Sequence, residues 1–325
     1  MAAEDCVIFS RMADGKKARA PRNRTIALED AEIERLRQRI LFAGEDQLTV
    51  DIGDKVICGD AFTSLRHLPP AGVDLLFADP PYNLAKEFGG RRFRKQSPDE
   101  YEAWLDSWLQ LCVPLLKPTA SVYICGDWRS GSAIERAGSR HFTLRNRITW
   151  EREKGRGAKK NWKNAAEDIW FFTVSDDYTF NLDAVKQRRR VLAPYRENGK
   201  PKDWNETENG NYRDTHPSNI WTDMTVPFWS MPENTDHPTQ KPEKLLAKII
   251  LAATNPCDMV LDPFSGSGTA AVAAKKLGRR FAAIESDRQY CLLAAKRLEM
   301  AETDKTIQGF ADGVFWERNS QNHLL

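Results

Sequence analysis

Four consecutive residues, Asp79-Pro80-Pro81-Tyr82, bring together a carboxylate, a stiff backbone and an aromatic face. They directly follow the apolar run Val73-Asp74-Leu75-Leu76-Phe77-Ala78, whose aliphatic residues predict a strand. Such a loop suits the activation of an amine carried on an aromatic ring. That amine is a poor nucleophile because its lone pair is delocalised into the ring. A carboxylate accepting one N–H, with a backbone carbonyl accepting the other, favours a pyramidal nitrogen and stabilises the positive charge that grows on it. Asp79 supplies the first acceptor and the Pro80 carbonyl the second, with Pro80 and Pro81 holding the backbone stiff. Tyr82 offers a face on which an unstacked base can lie. The plainer alternative is a proline turn that merely ends a strand.

A second loop, Asp262-Pro263-Phe264-Ser265-Gly266-Ser267-Gly268-Thr269, follows the strand-like Met259-Val260-Leu261. Its glycines permit positive φ and close approach of a ligand, and a helix N-terminus behind it presents free N–H groups. It matches neither Gly-x-Gly-x-x-Gly nor a Gly-Lys-Ser/Thr phosphate loop, so a dinucleotide fingerprint and a nucleotide phosphate site are both unmet. The following strand, Phe281-Ala282-Ala283-Ile284, ends in Glu285, nineteen positions after Gly266. An acid at that offset can accept hydrogen bonds from ribose hydroxyls, with an exposed strand-end acid as the alternative.

The elements that must position these loops alternate along the chain. Residues 1–27 are irregular and basic, and the pattern over 28–43 predicts a helix with early acids, late arginines and a stop at Gly44. Short strands are expected at 56–58 and 73–78, and a polar loop over 84–96. Ser97-Pro98-Asp99-Glu100 has the form of a capping box, and Tyr101, Trp104, Leu105, Trp108, Leu109 and Cys112 follow at the spacing of a buried helix face. Further strands are expected at 120–125, 143–150, 167–174 and 178–182, a helix after Pro242, a strand at 259–261, an alanine-rich helix ending at Gly278 and a helix over 287–300. This alternation argues for an α/β fold with a mainly parallel sheet covered on both faces. Between 186 and 236 apolar periodicity is weak and Asn, Asp, Arg, Pro and Trp dominate, as in a functional or disordered stretch.

On these motifs the chain resembles the β class of amino DNA methyltransferases, which act on adenine N6 or cytosine N4. The resemblance covers residues ~50 to 300. Asp-Pro-Pro-Tyr comes first, the variable stretch lies in the middle, and His237-Pro238-Thr239-Gln240-Lys241-Pro242 and Phe-Ser-Gly-Ser-Gly follow. The resemblance implies a Rossmann-like S-adenosylmethionine-dependent fold, circularly permuted, with the glycine loop after the catalytic loop. It implies S-adenosylmethionine as cofactor and double-stranded DNA as partner. Asp60 and Ala61, beside Gly59, fall where the class contacts the adenine ring of the cofactor. His237, Thr239 and Lys241 fall at its methionine end, where Lys241 would pair with the carboxylate. The implied organisation is a basic arm and helix over 1–47, a catalytic half over 48–185, a target-recognition region over 186–236, a cofactor half over 237–301 and a tail over 302–325. A homodimer and a cognate restriction endonuclease, sharing the site without being bound, also come with the class.

Three basic segments suit DNA phosphates: Arg91, Arg92 and Arg94 just past the catalytic loop; Lys154, Arg156, Lys159, Lys160 and Lys163 with Trp150 and Trp162 among them; and Arg188-Arg189-Arg190 at the start of the variable stretch. A solvated charged face is the alternative for each. Asp before Pro-Pro is usual for adenine enzymes and serine for cytosine N4 enzymes, so adenine N6 is the expected target and cytosine N4 the alternative. Cytosine C5 chemistry needs a nucleophilic cysteine after a strand, whereas Cys257 precedes its strand. An RNA or protein methyltransferase and an inert DNA-binding relative remain as other classes.

Bulk composition agrees. The 325 residues carry 29% charged and 41% hydrophobic side chains at a net charge of +2, an ordinary globular mix in which local clusters matter more than the total. Six cysteines without Cys-x-x-Cys spacing and five histidines without ligand spacing predict a reduced cytoplasmic protein without a metal site. No apolar run approaches the ~20 residues of a membrane span.

Overall fold

A computed structural model describes residues 20–44, 52–84, 86–88, 91–156, 160–191, 195–207 and 210–317. In chain order the elements are α1 (Asp30–Arg37), β1 (Ile40–Phe42), β2 (Lys55–Cys58), α2 (Ala61–Leu65), β3 (Val73–Ala78), the hairpin β4 (Lys86–Phe88) and β5 (Arg91–Phe93), α3 (Pro98–Cys112), β6 (Leu116–Gly126), α4 (Gly131–Ser139), β7 (Thr143–Arg156) and β8 (Asn164–Thr173). Then come β9 (Gln187–Arg190), the short pair β10 (Arg196–Glu197) and β11 (Lys200–Pro201), β12 (Asn205–Thr207), β13 (Gly210–Thr215) and β14 (Ile220–Trp221). The chain continues through α5 (Glu243–Ala253), β15 (Met259–Asp262), α6 (Thr269–Lys276), β16 (Arg280–Glu285), α7 (Arg288–Thr303), β17 (Phe310–Ala311) and β18 (Val314–Trp316).

Nine strands form one sheet in the order β1-β2-β16-β15-β3-β6-β8-β7-β14. Neighbours are parallel from β1 to β6, antiparallel through β8 and β7, and parallel again at β14. The late strands β15 and β16 sit between β2 and β3, which is the permuted order expected from the motifs. Both faces are covered, as the double-sided apolar strands require. Leu75 and Phe77 share one core with Leu245, Ala270 and Leu292 of α5, α6 and α7. Leu76 and Ala78 share the other with Leu65, Leu105 and Ile134 of α2, α3 and α4. No helix among the described residues is long and apolar enough to cross a membrane.

The capping box at α3 forms as its sequence predicts, with Ser97 accepting from the Glu100 N–H and Glu100 from the Ser97 N–H. Three expectations change. The helix over 28–43 ends at Arg37, because Ile40–Phe42 pairs with β2 at the sheet edge and strand pairing overrides local helix propensity. Arg35 and Arg37 stand in its last turn as the dipole favours, and Arg35 also meets Glu299 of α7, as Arg39 meets Glu302. Within the expected polar loop 84–96, β4 and β5 form a hairpin. No strand forms at 178–182. There the Asn181 N–H donates to the Ala252 carbonyl at 2.7 Å and its amide to the Thr254 carbonyl at 3.0 Å, so this segment serves the open carbonyls at the end of α5.

The stretch 186–236 is more ordered than its composition suggests. β9, β12 and β13 build a second sheet in the order β12-β13-β9-β18-β17. Two of its strands, β17 and β18, come from beyond residue 302, where only a tail was expected. β18 pairs with β9 in parallel, Phe315 against Gln187.

Candidate active site

The Asp-Pro-Pro-Tyr loop leaves the C-terminal end of β3, and the glycine loop leaves the C-terminal end of its neighbour β15. Crevices at such points in an open parallel sheet are where ligands bind. A cavity of about 380 Å³ opens between the two loops. Asp79, Pro80, Pro81 and Tyr82 line one side; Asp262, Phe264, Ser265, Gly266, Ser267 and Thr269 line the other. Asp60, Ala61, His237, Thr239, Lys241 and Glu285 close it. Of the expected cofactor-side residues only Gly268 stays outside. It starts α6 at φ 79°, and a Cβ there would stand 2.6 Å from Ala294 Cβ, so it brings α6 and α7 together.

The glycine loop is built around Glu285. Gly266 adopts φ 52° and its N–H donates to Glu285 Oε2 at 2.9 Å, while the Asp287 N–H donates to Oε1 at 2.7 Å. A Cβ on Gly266 would lie 2.8 Å from His237 Nε2, so the glycine leaves room for that ring at the cavity wall. Gly59 N–H donates to the Glu285 carbonyl at 2.9 Å, which sets the end of β2 beside the end of β16. Asp60 caps α2, its carboxylate accepting the Thr63 N–H at 3.1 Å. Burial pushes the Glu285 carboxyl upward, opposed by the backbone N–H groups that it accepts. Burial pushes Asp262 well above the usual carboxylate range, against its bond from the Phe264 N–H.

The Asp-Pro-Pro-Tyr loop is braced from α3. The Tyr101 hydroxyl donates to the Pro81 carbonyl at 3.0 Å. Asn83 exchanges two hydrogen bonds with the Gln96 backbone, at 2.9 and 2.7 Å, and so pins both ends of the excursion that carries the β4–β5 hairpin. Both Asp79 oxygens have donors. The Tyr82 hydroxyl donates to Oδ1 at 2.9 Å, and Lys241 Nζ donates to Oδ2 at 2.6 Å. Lys241 thus lines the cavity as expected, but its ammonium is seated on Asp79. Burial pulls its pKa down, and Asp79 and Glu167 outweigh that and hold it protonated. Burial pushes the Asp79 carboxyl upward, and Lys241 opposes the push.

Sequence reasoning missed Glu167. It enters from β8 and lies 3.3 Å from both Lys241 Nζ and the Tyr82 hydroxyl. Its other oxygen accepts from Arg152 of β7 at 2.5 Å. The available signal was its place, with Asp168, just before the apolar run Ile169-Trp170-Phe171-Phe172. Trp104, grouped with the core stripe of α3, reaches the cavity wall and packs against Phe264. Tyr290 and Gln240 also line the cavity unannounced.

The basic residues divide. Arg94, Lys160, Lys163 and Arg190 are exposed, and Trp162 is 92% exposed. Arg91 and Arg92 lie on β5, and Lys154 and Arg156 on the end of β7; Lys159 lies outside the described residues. Two expectations are corrected. Trp150 is 1% exposed and belongs to the core cluster that also holds Trp221 and Met224. Arg188 is held by Asp214 through two bonds of 2.8 Å and lies over the Tyr212 ring, so it braces the second sheet rather than presenting a free cation; Arg189 is half-buried.

Comparison with known proteins places this geometry. Residues 73–296, most of the chain, match the DNA methylase family of the N6/N4 amino type. The DNA adenine methyltransferase YhdJ of Escherichia coli (strain K12) is 37% identical over 254 residues, 76% of this chain and 83% of that protein. The chain belongs to this DNA methylase family. Type II methyltransferase M.HpaI of Haemophilus parainfluenzae is 32% identical to the methylase over 252 residues, 75% of this chain and 74% of that protein. Among solved structures, the M1.HpyAVI–SAM complex superposes with a TM-score of 0.52 at 27% identity, over 75% of the methylase and 98% of that chain. The cytosine-N4-specific PvuII DNA methyltransferase, at 20% identity and a TM-score of 0.55 over 77% of the methylase and 87% of that chain, shares the fold.

Proposed function

We propose that the methylase transfers a methyl group from S-adenosylmethionine to adenine N6 in double-stranded DNA. The observation that carries this reading is that the Asp-Pro-Pro-Tyr loop and the glycine loop open into one cavity. The chain's own residues fit the cofactor. Glu285 can accept ribose hydroxyls, Asp60 and Ala61 flank the end of β2, and the Gly266 backbone stands against His237 with no side chain between. When bound, S-adenosylmethionine supplies an electrophilic methyl group on a sulfonium. Tyr82 gives the extruded adenine a surface, and Asp79 and the Pro80 carbonyl accept its two N–H bonds. The carboxylate then faces the positive charge that develops on N6, and the proton lost from that nitrogen leaves by way of Asp79 or solvent. Methylation of genomic DNA followed by base-resolved sequencing tests the reading. Methyl on adenine N6 at a fixed sequence is expected; methyl on cytosine C5 would overturn it.

Within this reading the sheet β12-β13-β9-β18-β17 serves target recognition, and residues 186–236 are its main contributor. The protein works in the cytoplasm, with a homodimer and a cognate endonuclease as further parts of the reading. Light scattering of the purified chain tests the dimer.

Two outcomes follow. Glu285→Ala is expected to weaken S-adenosylmethionine binding by about tenfold or more, because charge-assisted hydrogen bonds to its ribose are lost together with the anchor of the Gly266 N–H. Calorimetry reads this directly, and unchanged affinity removes Glu285 from the site. Neutralising Lys159, Lys160 and Lys163 together is expected to flatten the dependence of log affinity for DNA on log salt by about 0.9 per lost phosphate contact. An unchanged slope makes those charges solvated surface.

A further inference from the structure

The active site contains three more charges than amine activation requires, Glu167, Lys241 and Arg152. Asp79 and Glu167 face Lys241, and Arg152 faces Glu167, so two anions and two cations form one chain of contacts. The side chains of Lys241, Glu167 and Asp79 are 7%, 10% and 16% exposed, so the group is largely shut off from water and its charges are weakly screened. Lys241 takes the place on Asp79 where the target amine must donate. An ammonium on Asp79 also resembles the charged nitrogen that methylation creates. It therefore keeps the buried carboxylate ionised before DNA arrives, but must yield when the base enters.

We propose that Glu167 is a positioning residue that receives the Lys241 ammonium when the target amine takes its place on Asp79. This rests on the reading of the site as an amino methyltransferase. Glu167 Oε2 is already 3.3 Å from Lys241 Nζ, so a small swing of the lysine completes the transfer. Arg152, at 2.5 Å on the other oxygen, holds Glu167 in place from β7. The same Glu167 oxygen is 3.3 Å from the Tyr82 hydroxyl, so it also steadies the ring on which the base would stack. Charge balance favours the exchange. A neutral amine replaces Lys241 on Asp79, Lys241 remains paired with Glu167, and Asp79 is left facing the nitrogen that becomes positive. Without the Glu167 charge, Lys241 has Asp79 as its one carboxylate in this cluster, and the growing ammonium meets an excess cation.

The test uses a duplex that keeps the target adenine and carries 2-aminopurine beside it, at the sequence found by methylation mapping. Its fluorescence rises when the base leaves the stack, with no methyl transfer needed. Glu167→Gln is expected to reduce that rise and to raise KM for DNA about tenfold, with S-adenosylmethionine affinity retained. Glu167→Asp should recover part of the loss. The decisive variant is Glu167→Gln with Lys241→Met, which removes the competitor and restores neutrality. It should be brighter than Glu167→Gln alone even if it transfers no methyl group. Lys241→Met alone should extrude the base at least as well as the native chain. The proposal is overturned if Glu167→Gln matches the native chain, if the double variant is no brighter than Glu167→Gln, or if Lys241→Met is dimmer than native. A native chain that methylates no DNA would instead overturn the underlying reading, before any variant is made.

Discussion

Asp79→Ala is expected to lower methyl transfer by about three orders of magnitude while S-adenosylmethionine still binds. The two effects separate because they belong to different strands. Asp79 stands on the loop after β3, whereas Gly266 belongs to the loop after β15 and Glu285 ends β16. The alanine variant loses the acceptor that shapes the amine lone pair. It also leaves the Lys241 ammonium, 3.3 Å from the Tyr82 hydroxyl, uncompensated by Asp79 beside the nitrogen that must become positive. Single-turnover transfer of labelled methyl, set beside calorimetry with the cofactor, measures both quantities. Near-native turnover would remove Asp79 from the chemical step.

Arg297→Ala is expected to destabilise the fold by about 3 kcal/mol, at the low end for breaking a buried ion pair. Arg297 of α7 is 2% exposed. Its guanidinium donates to the Ser267 carbonyl at 2.9 Å, to the Thr269 hydroxyl at 3.0 Å and to Glu243 of α5 at 2.9 Å. Alanine would leave Glu243 buried with one cation, Lys276 at 2.7 Å, which is why the loss stays at the low end. It would also strip two supports from the glycine loop. Urea unfolding should show a lower midpoint at similar slope, with Arg297→Lys between the two because it keeps the charge without the fork. An unchanged midpoint would mean that Lys276 alone satisfies Glu243.

Both reactive loops were legible in the sequence because their signals are local. An apolar strand that stops at Asp-Pro-Pro-Tyr, or at a glycine turn, carries its meaning within a dozen residues, and Glu285 falls at a fixed distance from its glycine. Features decided by distant partners were not legible. Ile40–Phe42 is a strand only because β2 lies beside it. Arg188 had the composition of a DNA contact, yet Asp214, twenty-six residues later, claims it. Glu167 has no periodic signature, since its neighbours in space come from the loop after β3, from β7 and from the segment before α5. Lys241 was identifiable as a cavity residue, but its seat on Asp79 spans 162 positions of sequence.

The strand order also sets a timetable for synthesis. β3 can have neither of its sheet neighbours β15 and β6 until each has left the ribosome, and β15 arrives some 180 residues after it. The second sheet waits longer still, because β9 pairs with β18, whose Trp316 carbonyl is also held by Lys244 of α5. Cofactor cavity and second sheet are therefore completed only once β15 and β18 have emerged. A chain still being made, even one carrying the whole Asp-Pro-Pro-Tyr loop, has neither a closed cavity nor a finished second sheet.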